Sequence, residues 1–402
     1  MYTKNEVLDF IQEEDVKFIR LVFFDLAGKQ KNISIMPGEL ERAFSQGIPF
    51  DASAVEGFEG PEKSELYLFP DPSTLAIIPW RPATGKVVRM FCNILNPDGT
   101  PYIKDGRAIL QNACKRLKDE CKIEMMIGTE VEFYLFKLDD KGEPTGETFD
   151  KAGYMDIAPE DHGENIRREI CFTLEQMGIT PQASHHEEGP GQNEIDFQYS
   201  DALTAADNVE TFKWIVNTKA ASNGLYADFS PKPILDKPGN GMHINISYRD
   251  VNGKKPAEGE NLLPYILGGI LKHIEEITYF LNPVQKSYAR LGSSKAPKYV
   301  SWGKENRSTL FRLPSGKDFQ RIELRSPDPL CNPYLGFTLL ISAAIDGIRN
   351  KIEPPAPVEQ NLFDERNARD CDFKTLPGSY SEAKKIAAQS DFVKEVLGPV
   401  IE

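Results

Sequence analysis

Carboxylates and other polar residues line one side of two segments that have the pattern of β-strands. In "GTEVEFYLF", Glu130 and Glu132 point to the same face, because successive side chains of a strand alternate between its two faces. In "GNGMHINIS", His243, Asn245 and Ser247 likewise share one face and alternate with apolar residues. A solvated strand face is the ordinary explanation of either pattern alone. Their recurrence in one chain favours the wall of a polar pocket.

Two further segments add charged residues to this set. "SHHEEGPGQNEIDF" places a Gly-Pro-Gly turn between Glu187 and Glu194, so that the two carboxylates can return toward each other. "RIELRSPDP" places Arg321, Glu323 and Arg325 on one side of a strand. That pattern fits a solvated edge strand. It also fits a glutamate that binds a cation between two arginines that bind anionic groups.

Glutamates and one histidine dominate these four segments and form a hard, oxygen-rich ligand set. Such ligands suit Mg²⁺ or Mn²⁺, and the charge of so many carboxylates requires more than one ion. Paired hard ions beside arginines indicate phosphoryl chemistry, in which metals and guanidinium groups neutralise phosphate charge. The sequence contains neither a G-x-x-x-x-G-K-[ST] loop nor a kinase glycine-rich loop. A nucleotide would therefore be held mainly by metals and arginines.

The composition excludes several classes of partner. The 402-residue chain carries 47 Lys and Arg against 61 Asp and Glu, a net charge of -14, so we expect no nucleic-acid partner. Its apolar runs are too short for a membrane span and its N-terminus lacks a signal-peptide core, so we expect no membrane partner and a cytoplasmic location. The six cysteines form no C-x-x-C pair, which is typical of free thiols in a reducing compartment.

The order of helix and strand signals predicts two domains, residues 1–100 and 101–402. "NEVLDFIQEEDV" has helical apolar spacing and is followed by two β-rich runs, which predicts a helix and a hairpin. Strands are also predicted at "SELYLFP", "TLAIIPW" and "KVVRMFCNIL", before the turn "NPDGTP" that marks the boundary. In the second domain strands alternate with helices. Near its end, "NPYLGFTLLISAAIDGIRNKI" is apolar nearly all round, which predicts a buried helix.

Taken together, these motifs resemble those of the type I glutamine synthetase family, from about residue 5 to about residue 395. "FDASAVEGF" resembles the family's F-D-G-S-S-x-x-G-F loop, "GTEVEFYLF" its G-x-E-x-E-F strand and "GPGQNEID" its G-Q-x-E loop. "GNGMHINIS" is similar to the G-S-G-M-H strand, and "NRSTLFRLP" and "RIELRSPDP" to the N-R-S and R-x-E-x-R-x-x-D-P segments. The resemblance implies an α+β fold, with an N-terminal β-grasp domain and a catalytic domain that has a curved antiparallel sheet flanked by helices. It also implies a homo-oligomeric ring, a hexamer or stacked hexamers, with each active site between neighbouring subunits.

The resemblance further implies roles for particular residues. The ligands of a metal that orders glutamate and the acceptor would be Glu132, Glu187 and Glu194. Those of a second metal, which binds nucleotide phosphates, would be Glu130, His243 and Glu323. The arginines expected to hold the glutamate carboxylates and the transferring phosphate are Arg290, Arg307 and Arg325. The residues expected nearer the nucleotide are Asn245, Ser247, Arg312 and Arg321.

Three more residues are implied around glutamate and the acceptor. Gly239 stands where the family's loop contacts glutamate, and Tyr154 lies in the acceptor region. Asp51, reaching in from the adjacent subunit, resembles the residue that attracts ammonium and takes its proton.

The reaction that the resemblance implies is an ATP-dependent ligation in two steps. The γ-carboxylate of glutamate attacks the γ-phosphate of ATP to give an acyl phosphate, and an amine then displaces phosphate to form an amide. Ammonia is the default acceptor. A larger amine is one alternative, and a non-catalytic homologue that binds metal, nucleotide or glutamate is another.

Several positions depart from the family pattern. In "RLGSSKAP", Lys295 stands where the family's mobile loop carries a glutamate, and Ala54 and Pro238 replace a serine and an asparagine. Phe363 stands where some members carry a nucleotidylated tyrosine, so we expect that control to be absent. The sequence ends before the family's C-terminal helix that clasps an opposing ring, which favours a single ring.

Overall fold

The computed structural model describes residues 2–81, 83–254, 261–314, 320–369 and 373–401. The chain divides into a first unit, residues 1–112 with 173–179, and a second unit, residues 113–172 with 180–401. The boundary predicted between residues 100 and 101 stays a prediction. Cys371 lies outside the described residues, and the other cysteines are free thiols.

The first unit contains a six-stranded sheet in the order β2-β1-β6-β4-β3, with β5 paired to β6. Strands β1 and β6 are parallel, and the other pairs are antiparallel. The predicted "TLAIIPW" strand is reduced to two residues, because the chain turns after Ile78 and Arg81 donates its backbone N–H to the carbonyl of that residue. The strands are β1 (Val16–Phe24), β2 (Gln30–Ile35), β3 (Ile48–Asp51), β4 (Glu65–Pro70), β5 (Ala76–Ile77) and β6 (Lys86–Leu95).

The predicted N-terminal helix and hairpin are present in this unit. Thr3 and Glu6 form a capping box that begins α1 (Lys4–Glu13), and the helix buries Val7 and Ile11 on its apolar stripe. Strands β1 and β2 follow as an antiparallel pair, with Gly28 at a φ of 79° in the turn between them.

The second unit is built on a ten-stranded sheet in the order β14-β15-β16-β13-β7-β10-β9, with β8, β11 and β12 also paired to β7. All its pairs are antiparallel except β14 with β15. The strands are β7 (Ile123–Leu138), β8 (Pro144–Thr148), β9 (Pro181–His186), β10 (Gln192–Phe197), β11 (Ser200–Asp201), β12 (Leu225–Asp228), β13 (Met242–Asp250), β14 (Trp302–Lys304), β15 (Phe311–Leu313) and β16 (Ile322–Leu324).

The described chain also forms eleven α-helices. They are α1 (Lys4–Glu13), α2 (Leu40–Ser45), α3 (Gly106–Cys121), α4 (Glu164–Gln176), α5 (Ala202–Ser222), α6 (Leu263–Leu281), α7 (Gln285–Arg290), α8 (Pro333–Asn350), α9 (Glu365–Arg369), α10 (Tyr380–Gln389) and α11 (Asp391–Ile401). Helix α8 is buried along most of its length, as its apolar sequence predicted. It packs against α6 at glycines: a Cβ added to Gly269 would lie 2.2 Å from the carbonyl oxygen of Ala343.

One face of the second sheet packs against α5. The ring of Phe133 on β7 lies 6.1 Å from that of Phe212 on the helix, and 5.6 Å from that of Phe229. Because side chains alternate along β7, Glu130 and Glu132 point to the opposite face. The packing of α5 therefore determines which face of the sheet carries the carboxylates. Among the described residues, no helix is both long enough and apolar enough to cross a membrane.

Candidate metal and phosphate site

Strand register brings the predicted ligands together on the face of the sheet opposite α5. His243 on β13 pairs with Glu130 on β7, and Glu194 on β10 pairs with Glu132 on β7. Glu323 lies on β16, the neighbour of β13. Residues far apart in the sequence thus form one continuous polar surface.

At one end of this surface, Glu130, His243 and Glu323 offer ligand atoms that all lie within 4.8 Å of one another. His243 Nδ1 is 3.1 Å from a Glu130 oxygen and 3.6 Å from a Glu323 oxygen. Glu323 is fully buried and forms ion pairs with Arg312 and with Arg325, whose Nη1 is 2.6 Å away. We call these three ligands with their two arginines the arginine-flanked group.

Hydrogen bonds, burial and the charge of Arg325 set the protonation of the arginine-flanked group. Burial alone would raise the pKa of Glu130, but the hydrogen bond from His243 and the amide of Asn245 outweigh it and lower that pKa to about 2. Burial, with the nearby charge of Arg325, lowers the pKa of His243. An ionised carboxylate beside a neutral imidazole is the form in which both residues bind metals.

At the other end of this surface, the predicted glutamates belong to two overlapping sets of possible metal ligands, each of which also contains a histidine. Glu132, Glu194 and His243 offer atoms within 4.8 Å of one another, and so do His185, Glu187 and Glu194. Glu194 lies 3.3 Å from His185 Nε2, and Glu187 lies 3.7 Å from His185 Nδ1. We call Glu132, Glu187 and Glu194 the carboxylate group.

Like charges oppose ionisation in the carboxylate group. Burial and then the charge of Glu194 raise the pKa of Glu132 well above its usual value, and burial followed by Asp196 does the same for Glu194. Burial raises the pKa of Glu187, and burial with the charge of Glu130 raises that of Asp196 to about 7. Divalent cations would remove this penalty, and the hard oxygen donors suit Mg²⁺ or Mn²⁺.

Two buried polar atoms support a ligand at the arginine-flanked group. Arg325 Nε and Asn245 Oδ1 have no hydrogen-bond partner among the described residues. Asn245 meanwhile donates to Glu130 over 2.8 Å. A donor and an acceptor thus remain for a molecule bound there.

Gly239 and Arg290 lie together beside the carboxylate group. A Cβ added to Gly239 would lie 2.3 Å from the carbonyl oxygen of Pro231, so the loop has no room for a side chain at this position. Arg290 is buried and donates to the backbone carbonyls of Ser326, at 2.7 Å, and Arg325, at 3.2 Å. In the described structure Arg290 therefore shapes the pocket wall.

The other predicted site residues are more exposed to solvent. Arg307 and Arg321 are exposed, and Ser247 is half-buried on β13. Tyr154 is 52 % exposed, and its ring meets the ring of His185 edge-on at 5.5 Å. Asp51 belongs to the first unit, where its side chain accepts hydrogen bonds from the backbone N–H and the hydroxyl of Ser53. Its predicted role at a neighbour's site stays a prediction.

Three residues at the site were not predicted from the sequence. His185 lies between Glu187 and Glu194, and Asp196 pairs with Glu130 across the strands. Gln192 is buried, and its Nε2 lies 3.2 Å from oxygens of Glu132 and Gly239. The alternation Gln192, Glu194, Asp196 along "GQNEIDF" was a signal for the last two.

The loop that carries Lys295 is braced at its base. Ser293 Oγ donates to the carbonyl of Arg290 at 2.7 Å and accepts from Lys232 Nζ at 3.0 Å. At the tip, Lys295 forms an ion pair with Glu188, the neighbour of Glu187. The loop lysine thus contacts a carboxylate at the edge of the carboxylate group.

Comparisons with known proteins agree with this arrangement. Residues 15–97 match the family model described as "Glutamine synthetase, beta-Grasp domain", and residues 103–401 match "Glutamine synthetase, catalytic domain". A glutamine synthetase of Methanosarcina mazei is 45 % identical over 408 residues, covering 98 % of this chain and 91 % of the relative. One of Staphylococcus epidermidis is 42 % identical over 409 residues, covering 99 % and 91 %. A solved GmaS/ADP complex superposes with a TM-score of 0.89 at 26 % identity, covering 98 % of this chain and 92 % of that one.

A β-grasp domain followed by a catalytic sheet with a carboxylate-lined face defines the class of an ATP-dependent ligase. The chain belongs to the glutamine synthetase family. The predicted α+β fold and the predicted family are confirmed. The family generally uses divalent metal ions, in keeping with the ligand groups on the sheet.

Proposed function

We propose that this protein joins glutamate to ammonia through a γ-glutamyl phosphate, at the expense of ATP. One observation carries the proposal: a single sheet face combines the carboxylate group with the arginine-flanked group. Cations at the first can order a carboxylate substrate, while arginines at the second can meet phosphate oxygens. The identity to glutamine synthetases over nearly the whole chain supports the same substrates.

The metal ligands follow from the two groups. We propose that Mg²⁺ or Mn²⁺ is held by Glu130, His243 and Glu323 at one end of the face, and at the other by the carboxylate group, with His185 adjoining it. When bound, the ions neutralise phosphate charge and orient the reacting oxygens.

The remaining steps depend on the protein's own residues. Arg312 and Arg325 neutralise the charge that develops as the γ-phosphoryl group moves, because both guanidinium groups already lie at the site. Gly239 and Arg290 pack tightly together and form the wall against which glutamate would lie. Arg307 and Arg321 are exposed side chains that can fold over the phosphates and the nucleotide.

The acceptor side is proposed to be shared between subunits. Tyr154 lies against His185 at the edge of the carboxylate group, and Asp51 of a neighbouring subunit would receive the ammonium proton. An oligomeric ring, a hexamer or stacked hexamers, follows from this sharing.

Lys295 gives a specific reason to keep a larger amine as the second candidate acceptor. A lysine paired with Glu188 places positive charge beside the acceptor side, where it opposes the approach of ammonium. An amine that is uncharged at its attacking nitrogen is not repelled in this way.

The test is to measure phosphate release and amide formation side by side, with ATP, glutamate and Mg²⁺, over a range of ammonium and over a panel of neutral amines. We expect glutamine to form in step with phosphate. Phosphate release without glutamine, together with coupled turnover of another amine, would identify that amine as the acceptor in place of ammonia. Absence of both products with every acceptor would favour the non-catalytic alternative.

A further inference from the structure

His186 is a buried imidazole whose two nitrogens both face oxygen acceptors. Nε2 lies 2.9 Å from Oδ1 of Asp150, and Nδ1 lies 2.7 Å from the backbone carbonyl of Glu187. The side chain is 0 % exposed, so water does not compete for either contact. The two contacts therefore fix the ring between a carboxylate and a backbone carbonyl.

Asp150 also accepts hydrogen bonds from backbone N–H groups, one of them in the Gly-Pro-Gly turn. Its Oδ1 also accepts the backbone N–H of Gly191 at 2.8 Å, and its Oδ2 accepts that of His162 at 3.1 Å. The pair of Asp150 and His186 therefore holds the carbonyl of Glu187 at one end of the Gly-Pro-Gly turn and the amide of Gly191 at the other. Glu187 and Glu194 lie on the two sides of this turn.

A metal site is the competing explanation, because Asp150, Asp161 and His186 offer atoms within 4.8 Å of one another. The hydrogen bonds argue against it. Asp161 already pairs with Arg167 and accepts the backbone N–H of Gly163 at 2.8 Å. Both nitrogens of His186 are likewise already in contact with oxygens of Asp150 and Glu187.

We propose that His186, held by Asp150, is a positioning residue that sets the turn so that Glu187 and Glu194 bind a divalent cation together. The inference depends on the metal site of the proposed function but not on the identity of the acceptor. Groups behind metal ligands commonly change affinity by about 10–100-fold when they are replaced, because they fix the ligand's position.

The test measures Mn²⁺ binding by electron paramagnetic resonance in the full-length protein without nucleotide. We expect His186→Gln, which keeps at most one of the two contacts, and Asp150→Asn, which replaces one acceptor oxygen of the carboxylate by an amide group, each to weaken Mn²⁺ binding about 10–100-fold. His186→Gln should retain more affinity than His186→Phe, which keeps neither contact.

His273 provides a matched control. It is also buried between two carboxylates, with Nδ1 3.1 Å from Glu276 and Nε2 2.9 Å from Asp346, but it lies on α6. We expect His273→Gln to lower the melting temperature without changing Mn²⁺ affinity.

The outcomes separate this inference from the proposed function. Wild-type Mn²⁺ affinity in both His186→Gln and Asp150→Asn would overturn the positioning role, whatever the enzyme's activity. An equal loss in His273→Gln would show that affinity merely follows stability. Mn²⁺ binding by the wild type without any ligase activity would remove the proposed function and leave the positioning role intact. A wild type that binds no Mn²⁺ would overturn both.

Discussion

The arginine-flanked group and the carboxylate group occupy the same face of one sheet, yet their glutamates differ in protonation. The pKa of Glu130 is lowered, whereas those of Glu132 and Glu194 are raised well above the usual value. Burial pushes all three upward, so burial does not explain the difference. What differs is the neighbours: His243 and Asn245 donate to Glu130, while Glu132 and Glu194 face other carboxylates.

One face of the sheet can therefore bind two kinds of ligand. In the arginine-flanked group the protein supplies its own cations, which are then available to phosphate oxygens. In the carboxylate group it supplies anions, which only a bound cation can neutralise. A substrate that carries both phosphates and carboxylates can therefore be held across the face by complementary charges.

The largest effect should come from removing the glutamate that the arginines share. Glu323→Ala leaves Arg312 and Arg325 without their buried partner, and breaking a buried ion pair from one side costs about 3–5 kcal/mol. We expect a marked loss of stability in thermal and denaturant unfolding with a chelator present, and weaker binding of Mg²⁺-nucleotide. Glu275→Ala, which removes the carboxylate paired with the exposed Lys374, is the control and should change stability little. An unchanged unfolding midpoint in Glu323→Ala would mean that the two groups do not differ as described.

The alternation of residues within each strand was predictable from the sequence. Glu130 and Glu132 share one face of β7, and His243, Asn245 and Ser247 alternate with buried residues along β13. The N-terminal helix, the hairpin and the buried α8 were equally local signals, because each depends on spacing within about 20 residues.

The partners across strands were not predictable in the same way. His185 faces Glu194 because β9 pairs with β10 in one register, and a shift by one residue would turn it to the other face. Asp150 and His186 are separated by 36 positions, so no spacing rule connects them. The substrate-binding role of Arg290 stays a prediction, and its hydrogen bonds to backbone carbonyls become visible only in three dimensions.

The second-largest effect should be a dependence of stability and of metal affinity on pH, caused by the protons of the carboxylate group. Because these pKa values are raised, the metal-free site keeps its protons at pH values above the usual range for carboxyl groups. The pKa of Asp196 is about 7. As pH rises toward and through 7, the native metal-free protein therefore loses stability relative to the unfolded chain, where these groups ionise more easily. A cation expels the protons, so its affinity should rise with pH, by up to about tenfold per pH unit for each proton released.

Calorimetry of Mn²⁺ binding in two buffers of different ionisation enthalpy measures this release. Glu194→Gln gives a second test, because it removes one titrating carboxyl group from the carboxylate group. It should raise metal-free stability by on the order of 1 kcal/mol and release fewer protons on binding. Metal binding with no net proton release near neutral pH would contradict the assigned repulsion.

The smallest effect should come from Lys295, the cation that reaches the edge of the carboxylate group. Its side chain is 62 % exposed, and an exposed ion pair with Glu188 is worth about 0.2–1 kcal/mol and is screened by salt. Lys295→Glu should therefore lower stability only slightly, while placing another carboxylate beside Glu187 and Glu188.

If the loop closes over the acyl phosphate, the new carboxylate should attract ammonium, and glutamine formation should rise relative to phosphate release at low ammonium. The repulsion from Glu188 works against closure, so we expect only a partial gain from the single change and a larger one when Glu188→Lys is added. Side-by-side product assays of both variants measure this, with Lys374→Glu as a control at another exposed pair. Equal coupling in the wild type and both variants would show that the sign of this charge does not govern the choice of acceptor.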